Sequence, residues 1–144
     1  MHKPNTPKLA VDAILIRKGN IILVERKHPP LGFALVGGFV DIGETCKEAV
    51  FREVREETGL LSTSFSFVGV YDNPKRDTRW ADEQIISIAY VCKAVDGKIK
   101  AQKEEVNQIV EVSIGRALGM ILIADHRQII MDALETIIDR RKYA

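Results

Sequence analysis

The sequence predicts an α/β sandwich, in which β-strands and two α-helices share one domain. Short runs of apolar and β-branched residues recur along the 144-residue chain, and such runs are typical of strands. Two other segments repeat their apolar residues at helical spacing. Hydrophobic residues make up 46% of the chain and charged residues 28%, so the composition favours an ordinary globular domain.

The chain is predicted to begin with a β-hairpin. An apolar strand over residues 9–16 is followed by turn residues at 18–20 and by a second strand over 21–24. A third strand is expected over 33–36, and the two glycines at 37–38 are expected to break it.

A helix over residues 45–58 is the clearest of the predicted elements. Thr45 and Glu48 fit a capping box, in which each side chain satisfies a backbone N–H group at the helix start. Gly59 fits the left-handed residue that commonly ends a helix. The apolar stripe of this helix consists of Ala49, Val50 and Val54, with Cys46 beside them.

The second half is predicted to hold three more strands and a closing helix. The strands are expected over 65–71, 85–91 and 108–112, with a polar loop over 72–84 between the first two. The last helix is expected from about residue 125 to residue 141. Its apolar face consists of Ile129, Ile130, Ala133, Leu134, Ile137 and Ile138.

Composition and charge exclude several classes of protein. Residues 1–8 are polar, unlike a signal peptide, and are predicted to be a flexible segment before a single domain at 9–144. No apolar run approaches the ~20 residues that span a bilayer. The net charge of +1 gives no electrostatic footprint for nucleic acid or an anionic membrane.

Cys46 and Cys92 are expected to be reduced in a cytoplasmic protein, with a disulfide between them left open.

Three glutamates carry the chemistry that the sequence predicts. Glu53 and Glu57 are four residues apart and share a helix face, with Glu56 adjoining them. Like charges at this spacing repel, and a divalent cation would reverse that effect. Carboxylate oxygens favour Mg²⁺, with Mn²⁺ as an alternative, and the sequence offers no cluster of His and Cys ligands. A solvated acidic helix face is the competing interpretation.

The spacing around these glutamates resembles the Nudix box, G-x5-E-x7-R-E-U-x-E-E-x-G-U, where U is a bulky aliphatic residue. A chance match is on the order of 10⁻⁹ or less per starting position. The resemblance extends over nearly the whole chain. The positions that match are Gly38, Glu44, Arg52, Glu53, Val54, Glu56, Glu57, Gly59 and Leu60.

The resemblance implies the Nudix fold, a mixed β-sheet between helices, and a metal-dependent attack of water on a phosphoryl centre. It implies that the three box glutamates perform the metal chemistry and catalysis, helped by the backbone carbonyl of Gly37 or Gly38. Arg52 and Glu44 are expected to brace the loop against the helix, and Glu48 with Arg52 to form a surface pair. Where many family members carry proline, this chain has Val36, which is expected to loosen the loop slightly.

The segment over residues 74–79 resembles a stretch of ADP-ribose pyrophosphatases in this family. We expect Arg76 or Arg79 to contact phosphate or ribose oxygens. Trp80 is a candidate for stacking on adenine, against its commoner role as a packing anchor. Arg26 is a candidate phosphate contact at the end of the second strand. A solvated basic surface is the alternative for these arginines.

A late acidic loop supplies one further candidate. Nudix hydrolases often place a glutamate there as metal ligand or base, and Glu105 is preferred to Glu104. The following motif at 124–130 resembles the start of the last helix in ADP-ribose-type Nudix proteins and in related regulators. Asp125 fits its N-cap, and His126 is expected to be structural rather than catalytic.

These features predict hydrolysis of ADP-ribose to AMP and ribose 5-phosphate. Another Nudix substrate, such as an oxidised nucleoside triphosphate or a dinucleoside polyphosphate, is the alternative within the same chemistry. A regulator that senses ADP-ribose and binds DNA is disfavoured, because the box is intact and no further domain is expected. An inactive binding module is the third alternative. The partner is therefore a small nucleotide, and the resemblance leaves a homodimer open.

Overall fold

The computed structural model describes residues 3–77, 82–95, 97–101, 104 and 106–143, with side chains described as far as residue 139. The strands are β1 (Lys8–Arg17), β2 (Asn20–Arg26), β3 (Phe33–Phe39), β4 (Ser62–Tyr71), β5 (Ile85–Ala94) and β6 (Val106–Ser113). The helices are α1 (Cys46–Thr58), α2 (Ile114–Leu118) and α3 (His126–Tyr143).

The six strands form one mixed sheet in the order β4-β5-β1-β3-β2-β6. β1 and β5 run parallel, whereas the other neighbouring pairs are antiparallel. β1 and β2 remain paired beside their turn, as the predicted hairpin requires. Lys18 and Gly19 have φ values of 51° and 78°, the left-handed conformation that matches the twist of a tight hairpin.

Alternation along β1 divides the core between the two faces of the sheet. Val11, Ala13 and Leu15 point to the face that α1 covers. Ile14 packs on the opposite face, where Ile129 of α3 is fully buried. The predicted α/β sandwich is therefore confirmed. Its central layer is the sheet, and the two long helices lie on opposite sides.

α1 begins and ends as the sequence predicts. Thr45 Oγ1 accepts a hydrogen bond from Glu48 N at 3.1 Å, and Glu48 Oε1 accepts one from Thr45 N at 3.4 Å. Gly59 follows with φ 75° and donates its N–H to the carbonyl of Arg55. This capping box and left-handed end place the box glutamates on a helix of defined length.

β3 differs from the prediction, because the glycine pair at 37–38 continues the strand instead of breaking it. Gly37 and Gly38 pair with Asp12 and Val11 of β1. A Cβ at Gly37 would lie 2.2 Å from the carbonyl oxygen of Val11, so glycine is needed for this close approach. Val36 is fully buried in the same strand, and the slight loosening expected of the loop stays a prediction.

The short helix α2 was not predicted, because five residues are too few to show a periodic pattern. Both cysteines carry free thiols, as expected. Cys46, the first residue of α1, is partly buried against the core, whereas Cys92 is fully buried. Burial raises the pKa of the Cys92 thiol to about 12. No helix in the described part of the chain is both long and apolar enough to cross a bilayer.

Candidate active site

A cleft of about 570 Å³ opens beside α1, which carries the three box glutamates and is called the box helix below. Its wall includes Glu53 and Glu57 of α1 and the glycine pair of β3. Glu53 is 4% exposed and Glu57 is 7% exposed, so the helix turns both carboxylates inward. The Glu56 side chain is 42% exposed and lies at the outer side of this pair. The four-residue spacing thus brings Glu53 and Glu57 into one cavity.

Gly38 forms a cradle for the Glu53 carboxylate. A Cβ at Gly38 would lie 2.4 Å from Glu53 Oε1 and 2.5 Å from its Cδ. Any side chain at this position would therefore displace the carboxylate. Gly38, the first glycine of the box, therefore leaves the space that the Glu53 carboxylate occupies, although Glu53 lies fifteen residues later in the chain.

Arg52 and Glu44 tie the loop before α1 to the helix. Arg52 Nε donates to Glu44 Oε2 at 2.7 Å and Arg52 Nη2 donates to Glu44 Oε1 at 2.9 Å. Asp41 N also donates to Glu44, at 2.8 Å. The hydrogen bonds from Arg52, followed by the one from the Asp41 backbone, lower the pKa of Glu44 to about 2. Glu48 is engaged in the capping box, and the expected surface pair with Arg52 does not form.

The same guanidinium also contacts two of the box glutamates. Arg52 Nη1 donates to Glu53 Oε1 at 2.8 Å and to Glu56 Oε2 at 3.2 Å. The hydrogen bond that Arg52 donates to Glu44 is the largest cause that raises the pKa of Arg52, so the guanidinium stays positively charged. This charge offsets part of the repulsion that the sequence predicts between the glutamates.

The oxygen donors fit a divalent cation that keeps part of its water shell. Among the residues that the structure describes, no three side chains of Asp, Glu, His or Cys converge as a ready-made metal site. Mg²⁺ usually binds through one or two carboxylates, with waters and substrate phosphates completing its coordination. Glu53, Glu57 and the adjacent backbone of the glycine pair match that smaller set of hard ligands.

Arg76 lies on the cleft wall, but its guanidinium is bound to protein. Nε and Nη2 donate to the two carboxylate oxygens of Asp125, at 2.8 and 2.7 Å. The side chain is only 4% exposed. Burial by itself lowers the pKa of Arg76, and the bonds and charge of Asp125 outweigh it and raise the pKa overall. This geometry shows a structural role for Arg76, and the expected contact with phosphate or ribose oxygens stays a prediction.

Asp125 immediately precedes α3, at the position expected for an N-cap. Its carboxylate, however, accepts the two hydrogen bonds of Arg76. His126 is buried, and its Nδ1 accepts a hydrogen bond from Leu35 N at 3.0 Å. The ring therefore joins α3 to β3, which agrees with the structural role expected for it.

Asp12 is a cleft residue that the sequence analysis missed. It is 7% exposed and accepts a hydrogen bond from Ser87 Oγ at 2.5 Å. Arg76 Nη2 lies 3.8 Å from its Oδ2, and His126 Nε2 lies 3.7 Å from its Oδ1. The sequence feature that could have indicated Asp12 is that it is the single carboxylate within the apolar run of the first strand.

The remaining candidates are distributed around the cleft or lie outside the described residues. Arg26 lines the cleft, and its Nε donates to the carbonyl of Pro30 at 3.0 Å. Glu104 is exposed in a turn. Arg79, Trp80 and Glu105 fall among residues that the structure does not describe. Their predicted roles stay predictions.

Comparisons with known proteins show which family this chain is similar to. The family model of the NUDIX domain matches residues 6–132. An ADP-ribose pyrophosphatase of Methanocaldococcus jannaschii is 45% identical over 97 residues, which cover 66% of this chain and 56% of that protein. The match thus spans little more than half of that relative's length. A putative 8-oxo-dGTP diphosphatase of Bacillus subtilis is 34% identical over 119 residues, covering 83% of this chain and 74% of that protein.

Two solved structures share the fold. The NUDIX domain of Shewanella oneidensis NrtR complexed with ADP ribose has a TM-score of 0.79 at 26% identity, covering 92% of this chain and 89% of that chain. A bifunctional NMN adenylyltransferase/ADP ribose pyrophosphatase of Francisella tularensis, complexed with AMP and Mn ion, has a TM-score of 0.80 at 28% identity. That superposition covers 94% of this chain and 43% of the other.

Proposed function

This chain belongs to the NUDIX domain family, and from that premise we propose that it hydrolyses a nucleoside diphosphate linked to a second moiety. The proposed substrate is ADP-ribose, and the products are AMP and ribose 5-phosphate. The observation that carries this proposal is the pair of buried carboxylates, Glu53 and Glu57, beside the glycine cradle in a cleft. The 45% identity to an ADP-ribose pyrophosphatase favours this substrate.

Enzymes of this family use divalent metals, and we propose Mg²⁺ here, with Mn²⁺ able to replace it. Glu53, Glu57 and a backbone carbonyl of Gly37 or Gly38 would hold the ion. When bound, the ion would acidify a water molecule and neutralise charge that develops on the diphosphate. Glu56 is the proposed base that takes the proton of the attacking water, since its carboxylate is the most accessible of the three.

Arg52 supports this chemistry by orientation. Its guanidinium holds Glu53 and Glu56 on one side and the loop residue Glu44 on the other. The hydrogen bonds to Glu53 and Glu56 restrict the rotamers of both glutamates before substrate arrives. Glu105 remains a proposed additional ligand or base. The proposed contacts to the nucleotide remain Arg76, Arg79, Trp80 and Arg26.

A nucleoside triphosphate is the second candidate substrate. The putative 8-oxo-dGTP diphosphatase covers more of this chain than the ADP-ribose pyrophosphatase does, although at lower identity. A panel of ADP-ribose, 8-oxo-dGTP and dinucleoside polyphosphates, assayed with Mg²⁺ in ¹⁸O-labelled water, would separate the candidates by rate and by the bond cleaved. Rapid turnover of a triphosphate beside negligible turnover of ADP-ribose would reject the first choice.

Replacement of Glu57 by Gln tests the site itself. Because Gln keeps the shape of the side chain but removes its charge, we expect turnover to fall by roughly 100-fold or more with little change in folding. Glu48→Gln is a matched control on the same helix, since Gln also completes a capping box. Full activity of Glu57→Gln, measured with saturating Mg²⁺, would refute the assignment of this residue.

A further inference from the structure

A second carboxylate lies behind the glycine pair, on the sheet face opposite the box helix. Asp12 is the cross-strand partner of Gly37 in β1. Its side chain points to the α3 face, because the neighbouring residues Val11 and Ala13 belong to the core beneath α1. A Cβ at Gly37 would lie 2.8 Å from Asp12 Oδ1, so the carboxylate packs directly on this backbone.

The glycine pair is therefore held between two carboxylates. Glu53 packs against Gly38 from the α1 face, and Asp12 packs against Gly37 from the α3 face. Each contact requires the absence of a side chain at its glycine. A shift of either carboxylate would consequently leave space on one side of a strand segment that has no side chains of its own.

Three elements fix the orientation of Asp12. Ser87 of β5 donates its hydroxyl to Oδ2, and Arg76 from the loop after β4 lies 3.8 Å from the same oxygen. His126, at the start of α3, lies 3.7 Å from Oδ1. Arg76 is itself held by Asp125. All of these side chains except Asp125 are at least nine-tenths buried, so they have little freedom to move.

We propose that Asp12 is a positioning residue, which sets the backbone of Gly37 and Gly38 for metal binding from the face opposite Glu53. This proposal rests on the role proposed above for the glycine carbonyls. Asp12 need not touch substrate or ion, since it acts through the backbone of its cross-strand partner. Groups that orient metal ligands in this way commonly change metal affinity by 10–100-fold when they are altered.

The test compares Asp12→Asn with Asp132→Asn, using Mn²⁺ alone as the probe and no substrate. Asp132 is a matched control because it also joins α3 to the sheet, where it accepts a hydrogen bond from Tyr71 at 2.7 Å. For Asp12→Asn we expect Mn²⁺ affinity to fall by roughly tenfold. We also expect the amide resonances of Gly37 and Gly38 to shift in metal-free protein. Asp132→Asn should change neither the affinity nor these resonances.

Ser87→Ala is the milder variant if Asp12→Asn does not fold. It removes one donor to Asp12 and should shift the same resonances in the same direction, with a smaller loss of affinity. Wild-type Mn²⁺ affinity in the folded Asp12 variant, or an equal loss in the Asp132 variant, would overturn the proposal. If the wild-type protein took up no Mn²⁺, the proposed metal role would fail, and unchanged glycine resonances would separately overturn the positioning role.

Discussion

Two arginines organise carboxylate clusters on opposite sides of the sheet, and the clusters differ in how far their partners lie along the chain. Arg52 contacts Glu44, Glu53 and Glu56, which lie within eight residues of it, and also Asp41, eleven residues away. Arg76 contacts Asp125, which lies 49 residues away. Both clusters adjoin the same cleft, the first through the box helix and the second through Asp12 and the cleft wall.

The clusters also differ in their exposure to water. The side chain of Arg52 is 23% exposed, whereas that of Arg76 is 4% exposed. Water reaches Arg52 and Glu56, so the ion pairs of the first cluster are partly screened and contribute modestly to folding. Arg76 and Asp12 are desolvated, and loss of the guanidinium leaves an uncompensated carboxylate inside the protein. We therefore expect the first cluster to control activity and the second to control stability.

The largest expected effect comes from removing the buried guanidinium. Arg76→Met should lower the free energy of unfolding by about 3–5 kcal/mol, because Asp125 and Asp12 lose their cationic partner. Arg52→Met should lower it by only about 1 kcal/mol, since the Arg52 side chain is partly exposed and its partner Glu56 is open to water. Urea unfolding of both variants at neutral pH measures this difference.

Activity should follow the opposite order. Arg52→Met should lose more turnover per kcal/mol of lost stability than Arg76→Met, when both are assayed well below their unfolding transitions. Equal loss of stability in the two variants would contradict the distinction between a screened and a desolvated cluster.

An intermediate effect is expected at the glycine cradle. Gly38→Ala places a methyl group against the Glu53 carboxylate, so we expect a loss of about 1–3 kcal/mol in stability together with weaker Mg²⁺ binding. Gly115→Ala is the control, because a Cβ there meets no atom within 4 Å. The midpoint of thermal unfolding and calorimetric titration with Mg²⁺ report the two quantities. If Gly38→Ala had the wild-type unfolding midpoint and Mg²⁺ affinity, the Glu53 carboxylate could move without loss of stability or metal binding, and this prediction would be wrong.

The smallest effect is expected at the partly buried contact between Arg52 and Glu44, and it depends on pH. Hydrogen bonds from Arg52 lower the pKa of Glu44 from 4.5 to about 2 in the folded protein. Its stabilising contribution is therefore fully present above about pH 4.5 and is lost as the pH falls towards 2. The difference in urea midpoint between wild type and Glu44→Gln should be constant near neutral pH and should shrink in acid. A difference that grows on acidification would contradict this sign.

The box helix shows how much of the site local sequence can predict. Thr45 with Glu48, Gly59 and the Glu53–Glu57 pair depend on spacings of three or four residues within one helix. The contact between Glu44 and Arg52 spans eight residues and follows from the resemblance to a known motif. These features can be predicted without knowing which strands pair, and the structure shows them at the predicted positions.

The fate of Arg76 shows where such prediction ends. Its sequence neighbourhood predicts a contact with phosphate or ribose oxygens and gives no sign of Asp125, which the fold brings to it from 49 positions away. The continuation of β3 through its glycine pair likewise depends on pairing with β1. A local pattern cannot distinguish a free guanidinium from a buried one, because burial is decided by the packing of distant elements.

The amino-acid sequence alone therefore determined the family resemblance, the α/β class, the caps of α1 and the shared face of Glu53 and Glu57. These depend on helical geometry and turn chemistry, which act over a few residues. Only the tertiary structure placed Asp12 behind Gly37, bound Arg76 to Asp125 and joined His126 to β3. Those contacts depend on strand order and on how α3 packs against the sheet. Because burying an unpaired charge is unfavourable, the buried charged groups lie next to oppositely charged partners.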